Sequence, residues 1–230
     1  MSKAKFHASI ISLYPELFPG TLGASVIGRG LKEKLWSFDT INLRDFGIGK
    51  HKQVDDSPAG GGAGLVLKAD VLAKAIDFAA PKGDNRKRYL LSPRGKPFTQ
   101  QLAKSLSQSE GVVLICGRFE GVDQRVIEQR NLTEISIGDY ILAGGEVGAM
   151  VMLEAITRLI PNVLGSNESI IEESFENGLL EYDQYTRPVE FEGQEIPKIL
   201  TSGNHKKINE WRDEQSKALT KLRRPDLIKE

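Results

Sequence analysis

Glu172 and Glu173 stand side by side ahead of Ser174 and Phe175, and Arg158 lies twelve residues beyond Glu146. A carboxylate can act as a general base when it reaches its proton and holds a suitable pKa. An adjacent acidic pair is equally a solvated patch, or charge that opens a helix. Arg158 also has two readings. It is a cation favouring the C-terminal end of a helix dipole, or a donor to a substrate oxygen that turns negative during reaction. Spacing alone decides neither.

The glycines say more. The run Ile137-Gly138-Asp139-Tyr140-Ile141-Leu142-Ala143-Gly144-Gly145-Glu146 leaves the β-branched segment Thr133–Ile137 and enters an amphipathic stretch. A second turn, Cys116-Gly117-Arg118-Phe119-Glu120-Gly121, follows the apolar Val112–Cys116. Glycine lets main chain approach a ligand closely or take positive φ. Two such turns at strand ends predict a pocket built from loop backbone. The phosphate-binding spacings G-x-x-x-x-G-K-[ST] and strand-linked G-x-G-x-x-G are absent, and beyond Arg118 no cluster of cations adjoins the turns. An uncharged or cationic ligand held by backbone groups fits better than a triphosphate. A third run, Pro58 to Gly64, follows Val54-Asp55-Asp56 and reads as a surface loop or as a lid over substrate. His7, His51 and His205 lack metal-ligand spacing, so no metal site is predicted. Cys116 ends an apolar strand and reads as a buried structural thiol rather than a nucleophile. No G-x-S-x-G elbow occurs.

The elements that must position these residues follow from periodicity. Strands are predicted at His7–Leu13, Ser37–Leu43, Arg88–Leu91, Val112–Cys116 and Thr133–Ile137, and helices at Leu22–Leu35, Asp70–Ala80, Thr99–Ser109, Val122–Gln129 and Glu146–Leu159. Short apolar strands alternating with helices predict an α/β domain with a largely parallel sheet over residues 1–161. Pro161 stops the last of those helices. Residues 162–172 turn to Gly, Ser, Asn and Glu without periodicity and read as a flexible linker. Residues 173–230 hold an irregular stretch broken by Pro188, Pro197 and Gly203, then a helix from about His205 to Lys221. A tail of this size is expected to lean on the first domain or on another subunit.

The 230 residues are 40% apolar and 27% charged, an ordinary balance for a soluble globular protein. No apolar run approaches the ~20 residues of a membrane span. The single cysteine fits a reducing cytoplasm, and the short Ile10–Leu13 run is no secretory h-region. The formal net charge of zero hides an asymmetry: residues 1–163 carry 21 Lys and Arg against 17 Asp and Glu, 164–203 carry 2 against 9, and 204–230 carry 8 against 5. Basic residues also gather at Lys82, Arg86, Lys87, Arg88, Arg94 and Lys96, as a phosphate-holding patch or a solvated face.

Taken together, Pro58-Ala-Gly-Gly-Gly-Ala-Gly64, Leu91-Ser92-Pro93-Arg94-Gly95, Cys116 to Gly121, Ile137 to Glu146 and Tyr185-Thr-Arg-Pro188 resemble the bacterial tRNA (guanine-N1)-methyltransferases of the TrmD type. Ser202-Gly203-Asn204-His205, Trp211-Arg212 and Arg223-Arg224-Pro225 extend the resemblance over nearly the whole chain. It implies a SPOUT-class, trefoil-knotted α/β domain with a small α-helical C-terminal domain. It also implies an obligate homodimer with active sites at the subunit interface. S-adenosylmethionine would be held by Leu91, Ser92 and Pro93, by Gly117, Phe119, Glu120 and Gly121, and by Ile137, Gly138, Asp139, Tyr140, Ile141, Leu142, Gly144 and Gly145. Being a sulfonium without phosphate, this donor agrees with the reading of the glycine turns.

The implied acceptor is N1 of the guanine just 3′ of the anticodon. Guanine N1 carries a proton and is a poor nucleophile until it is removed, so the reaction asks for a base and for a cation near O6. The family's proposed base is an aspartate. Alignment through Ser174-Phe175 and Gly178-Leu179-Leu180 places Glu173 there, and the family's basic helix residue falls on Arg158. Ala63 stands where the family usually has proline. Lys206, Lys207, Arg212, Arg223 and Arg224 would position phosphates of the tRNA anticodon stem-loop. A divalent cation such as magnesium is compatible with this reaction, although the sequence names no ligands for one. The alternatives are another SPOUT RNA methyltransferase and a non-catalytic RNA-binding relative.

Overall fold

The computed structural model describes residues 4–165, 173–175 and 177–228, so the predicted linker lies outside the described residues from 166 to 172, Glu172 included. The chain divides into two compact units, 1–165 and 166–230.

The strands of the first unit are β1 (Phe6–Ser12), β2 (Trp36–Asn42), β3 (Asp55–Asp56), β4 (Val66–Leu67), β5 (Lys87–Pro97), β6 (Gly111–Cys116) and β7 (Thr133–Ser136). Its helices are α1 (Ser25–Lys32), α2 (Ala69–Ala79), α3 (Gln100–Ser107), α4 (Gln124–Gln129) and α5 (Glu146–Thr157). Five strands form one sheet in the order β2-β1-β6-β5-β7, parallel at every pairing. The predicted mixed α/β class with a parallel sheet is therefore the observed one. β3 and β4 form a separate antiparallel ribbon.

The period-two alternation of β6 shows why the sheet is covered on both faces. Val112, Leu114 and Cys116 join one core with Ile27 of α1, Ala103 and Leu106 of α3, and Met152 and Ile156 of α5. Val113 and Ile115 join the other, with Val71 and Ile76 of α2 and Val126 and Ile127 of α4. Trp36 is fully buried at the start of β2, and its indole N–H donates to the Ile27 carbonyl at 3.1 Å. Side-chain oxygens of Thr99 and Asp123 accept from main-chain N–H groups in the first turns of α3 and α4, which sets where those helices begin.

Two elements differ from the sequence expectation by more than end fraying. The predicted helix Leu22–Leu35 is a 3-10 turn over Gly20–Gly23 followed by α1. The extended Ala24 separates them, α1 opens at Ser25 with φ +52°, and Gly28 lies so close to Gly23 that a Cβ would fall 2.2 Å from its carbonyl oxygen. The predicted Arg88–Leu91 is only the first part of β5. Past Leu91 the strand breaks register against β7 and pairs again at Lys96. Gly95 permits the return, since a Cβ there would sit 2.2 Å from the Ile135 nitrogen.

The basic cluster around β5 is partly consumed by the fold. Arg86 forks onto Asp84 at 2.7 Å, donates to Ser9 at 2.9 Å and to the Ala79 carbonyl at 2.7 Å, tying the end of α2 to β1. Arg88 donates to the Arg130 carbonyl, and Arg94 pairs with Glu134.

In the second unit the hairpin strands β8 (Glu190–Phe191) and β9 (Gln194–Glu195) precede α6 (His205–Arg223), which Asn204 caps through the Lys207 N–H. The segment after Glu173 is pinned to α6: Leu180 N–H donates to Thr220 Oγ1 at 2.8 Å, and that hydroxyl donates to the Ser216 carbonyl. Tyr185 packs on Trp211 at 6.3 Å between ring centres. Among the described residues, no helix is long and apolar enough to cross a membrane.

The hydrogen bond from Arg86 holds the Asp84 carboxyl below its ordinary value; burial opposes this, and the Arg86 backbone N–H adds to it. A lowered folded-state pKa contributes stability above 3.8 that disappears as pH falls through the folded value. Asp84→Asn is therefore expected to lower unfolding stability by about 2 kcal/mol at neutral pH. Denaturant titrations should show the gap from the parent closing as pH drops below 3.8.

Candidate functional site

A cavity of the first unit opens past the carboxyl ends of β6 and β7 and at the register break of β5 between them, the side of the sheet where parallel strands place their ligands. It measures about 310 Å3, at the lower end of small-molecule sites. Leu91, Ser92 and Pro93 come from the register break of β5, Gly117, Phe119, Glu120 and Gly121 from the turn after β6, and the rest from the run after β7. Of the predicted wall residues all line this cavity except Asp139.

Close backbone contact makes the wall. Gly145 N–H donates to the Gly117 carbonyl at 2.9 Å, and Gly144 bridges Arg118. A Cβ on Gly145 would lie 2.8 Å from Cys116 Cα, 2.9 Å from Leu91 Cβ and 3.0 Å from Gly117 N. Gly138, at φ +150°, lies under the Tyr140 ring, while the Tyr140 hydroxyl donates to the Ile137 carbonyl at 3.0 Å. Leu91 and Ile137 give the cavity apolar faces, and Gly117, Gly121, Gly138, Gly144 and Gly145, having no side chain, line it with main chain.

Charge on the wall is balanced or negative. Arg118 is paired with Glu146 and Arg94 with Glu134, whose Oε1 also accepts from Ser92 Oγ at 2.9 Å. Glu120 lines the cavity with no ion pair among the described residues. A phosphate would meet neutralised arginines and a carboxylate, whereas a cationic ligand meets a compatible surface. Burial, then the Glu146 carboxylate, push the Cys116 thiol well above its usual range, which leaves it protonated and unreactive. Among the described residues no cluster of His, Cys, Asp and Glu is arranged to hold a metal ion.

The Pro58–Gly64 run is rooted on this wall. Its flanking ribbon binds the β6 turn through Glu120 N–H to the Leu65 carbonyl at 2.9 Å and Leu67 N–H to the Gly121 carbonyl at 3.0 Å. Gly60, Gly61, Gly62 and Gly64 all have positive φ between +82° and +125°, and the run is exposed except at Pro58. A Cβ on Gly64 would collide with the Glu120 side chain.

Arg158 caps the C-terminal end of α5 and is half-buried. Its positions share a helix face with the exposed Val147, Val151 and Glu154, spaced four, three and four residues apart. In the second unit, Glu173 is half-buried and precedes a turn in which Phe175 N–H donates to the Leu179 carbonyl at 2.8 Å. Lys206 and Lys207 are exposed in the first turn of α6, and Arg223 is exposed in its last. Arg212 instead stacks on Tyr182 at 4.7 Å, and Arg224 pairs with Asp226 at 2.7 Å. Sequence reasoning missed Arg118, Glu134 and Glu146 as parts of the site. The available signal was a carboxylate directly behind two glycines, facing an arginine directly behind another.

The family described as tRNA (Guanine-1)-methyltransferase TrmD matches the chain over residues 6–230. The chain is 61% identical over 223 residues to a tRNA (guanine-N(1)-)-methyltransferase of Mesorhizobium japonicum, covering 97% of this chain and 96% of the relative. Identity to the protein of that name from a Chelativorans species is 59% over 222 residues, covering 96% and 94%. The corresponding Brucella ovis protein is 57% identical over 223 residues, covering 97% and 91%.

The packing of Gly145 makes a direct prediction. Its φ of −77° suits any residue, so Gly145→Ala tests the contact rather than the backbone angle. The added methyl group is expected to cost about 2 kcal/mol of unfolding stability, read by chemical denaturation.

Proposed function

The chain belongs to the TrmD family of tRNA (guanine-1)-methyltransferases, and from that membership we propose that it moves a methyl group from S-adenosylmethionine to N1 of the guanine just 3′ of the anticodon. The observation that carries the donor assignment is the wall itself: main chain and apolar faces, with neutralised arginines and the carboxylate of Glu120. Such a surface suits a sulfonium with an ammonium group and no phosphate. Bound there, S-adenosylmethionine supplies an electrophilic methyl whose sulfur keeps the bonding pair and leaves neutral.

The residues do the rest. Peptide groups of the Gly117–Gly121 and Ile137–Gly145 turns orient the donor, and Leu91 and Ile137 exclude water from its flank. Glu173 takes the N1 proton of guanine, freeing the pair that bonds to the methyl carbon. Arg158 donates to O6, where negative charge collects as N1 is deprotonated. Glu in place of the family's Asp moves the accepting oxygen by roughly 1 Å, a displacement that positioned chemistry registers. Lys206, Lys207 and Arg223 hold phosphates of the anticodon stem-loop, with Arg212, stacked on Tyr182, and the exposed Arg224, paired with Asp226, beside them. The ribbon-rooted Pro58–Gly64 run acts as a lid.

The same membership supports a SPOUT-class trefoil knot, domains over 1–161 and 173–230 joined by a linker, and a cytoplasmic homodimer with interfacial active sites. The exposed apolar Ile141, Val147 and Val151 beside the cavity and along α5 suit burial by a second copy.

Methylation of undermodified tRNA, read as primer-extension arrest at the target guanine, tests this function. Arrest elsewhere would indicate a different RNA methyltransferase, and no arrest a binding relative. Glu173→Gln is expected to lower turnover about 100-fold with donor affinity within about twofold of the parent. Arg158→Ala is expected to slow single turnover about 100-fold. Parental turnover in either variant removes that residue from the mechanism.

A further inference from the structure

Half-buried Arg118 in the cavity wall and fully buried Glu146 behind it form an ion pair, and the proton and methyl chemistry uses neither. Glu146 is 1% exposed, and a charge so placed persists only when paired and hydrogen-bonded. Its Oε1 accepts from Ser12 Oγ at 2.7 Å and from Arg118 Nε at 3.2 Å, and its Oε2 lies 2.9 Å from Arg118 Nη2. The remaining guanidinium nitrogen, Nη1, donates to the Ala143 carbonyl at 3.2 Å. One planar fork therefore grips both ends of the Ala143–Glu146 stretch, with Gly144 and Gly145 between. A Cβ on Gly144 would fall 2.2 Å from Arg118 Nε, so the side chain lies directly on that peptide. The Tyr14 ring covers the guanidinium at 4.4 Å, and Tyr14 N–H donates to Ser12 Oγ at 2.9 Å, which closes the cluster from the end of β1.

We propose that Arg118 is a positioning residue: its fork, clamped by Glu146, Ser12 and Tyr14, fixes the curvature of the Ala143–Gly145 main chain on which the methyl donor rests. The assignment rests on S-adenosylmethionine being the ligand of this cavity. Two consecutive glycines left unpinned sample many backbone states, and the donor then binds only the fraction already shaped for it. The loss falls on donor affinity, before chemistry begins. Lysine cannot replace the fork, because a point charge does not reach a carboxylate and a carbonyl in one plane.

Calorimetric titration of the full chain with S-adenosylmethionine, alongside thermal unfolding and steady-state kinetics, tests the clamp. If the parent does not bind S-adenosylmethionine, the donor assignment fails and the clamp with it. With the parent binding, Arg118→Lys is expected to raise the donor Kd and KM about tenfold, and to lower kcat by less than about threefold. Ser12→Ala keeps the ion pair and drops one clamp bond; it is expected to raise Kd about threefold. A purely structural role would lower the unfolding midpoint and leave the Kd of folded protein at the parental value. Parental Kd in folded variants, or a loss confined to kcat, overturns the proposal. Should Arg118→Lys not fold, Ser12→Ala and Tyr14→Leu decide by the same criterion.

Discussion

Gly145 rests against the main chain of Cys116 and Gly117 with no room for a methyl group, and the shape of the cavity follows from that contact. It brings the run after β7 onto the end of β6, so that loops from separate strands become one wall. The Gly145 N–H to Gly117 carbonyl bond fixes the approach, and α5 leaves the wall with its first carboxylate already buried. A side chain at this point would open the two turns apart, and peptide groups now facing the cavity would face one another or water. The parallel sheet beneath supplies the rigidity, since β6 is packed on both faces.

β5 carries two duties that conflict. As a sheet strand it must pair with β6 and β7, and as part of the cavity it must turn Ser92 and Pro93 outward. The register break between Leu91 and Lys96 reconciles them, and Glu134 holds the displaced segment through Ser92 and Arg94. The cost is a carboxylate committed to structure at the edge of the site. Its effect on electrostatics is to cancel Arg94, as Glu146 cancels Arg118.

Much of this architecture was legible from periodicity. The short continuous apolar run Val112–Cys116 and helical spacing in Asp70–Ala80 and Glu146–Leu159 reproduce observed elements to within about two residues, the usual uncertainty of element ends. The split at Ala24 and the continuation of β5 were not, because both depend on a glycine meeting other backbone, Gly28 on Gly23 one turn away and Gly95 on the distant Ile135. Glycine composition announces that something will come close without saying what. The Arg118–Glu146 pair was hidden for a related reason, since its members are 28 residues apart and each alone reads as ordinary surface charge. Arg158 and Glu173 entered by family resemblance, because a helix-end arginine and a glutamate beside other glutamates carry no distinguishing local pattern.

A cavity walled by peptide groups is also a cavity that substitution can scarcely rewrite. Side chains at Phe119, Ile141 or Leu142 can change while the N–H and C=O groups behind them stay where the glycines put them. A small molecule that takes its hydrogen bonds from those groups would therefore present the protein with a narrow choice. The changes able to dislodge it are changes at the glycines, and those undo the wall the natural ligand needs.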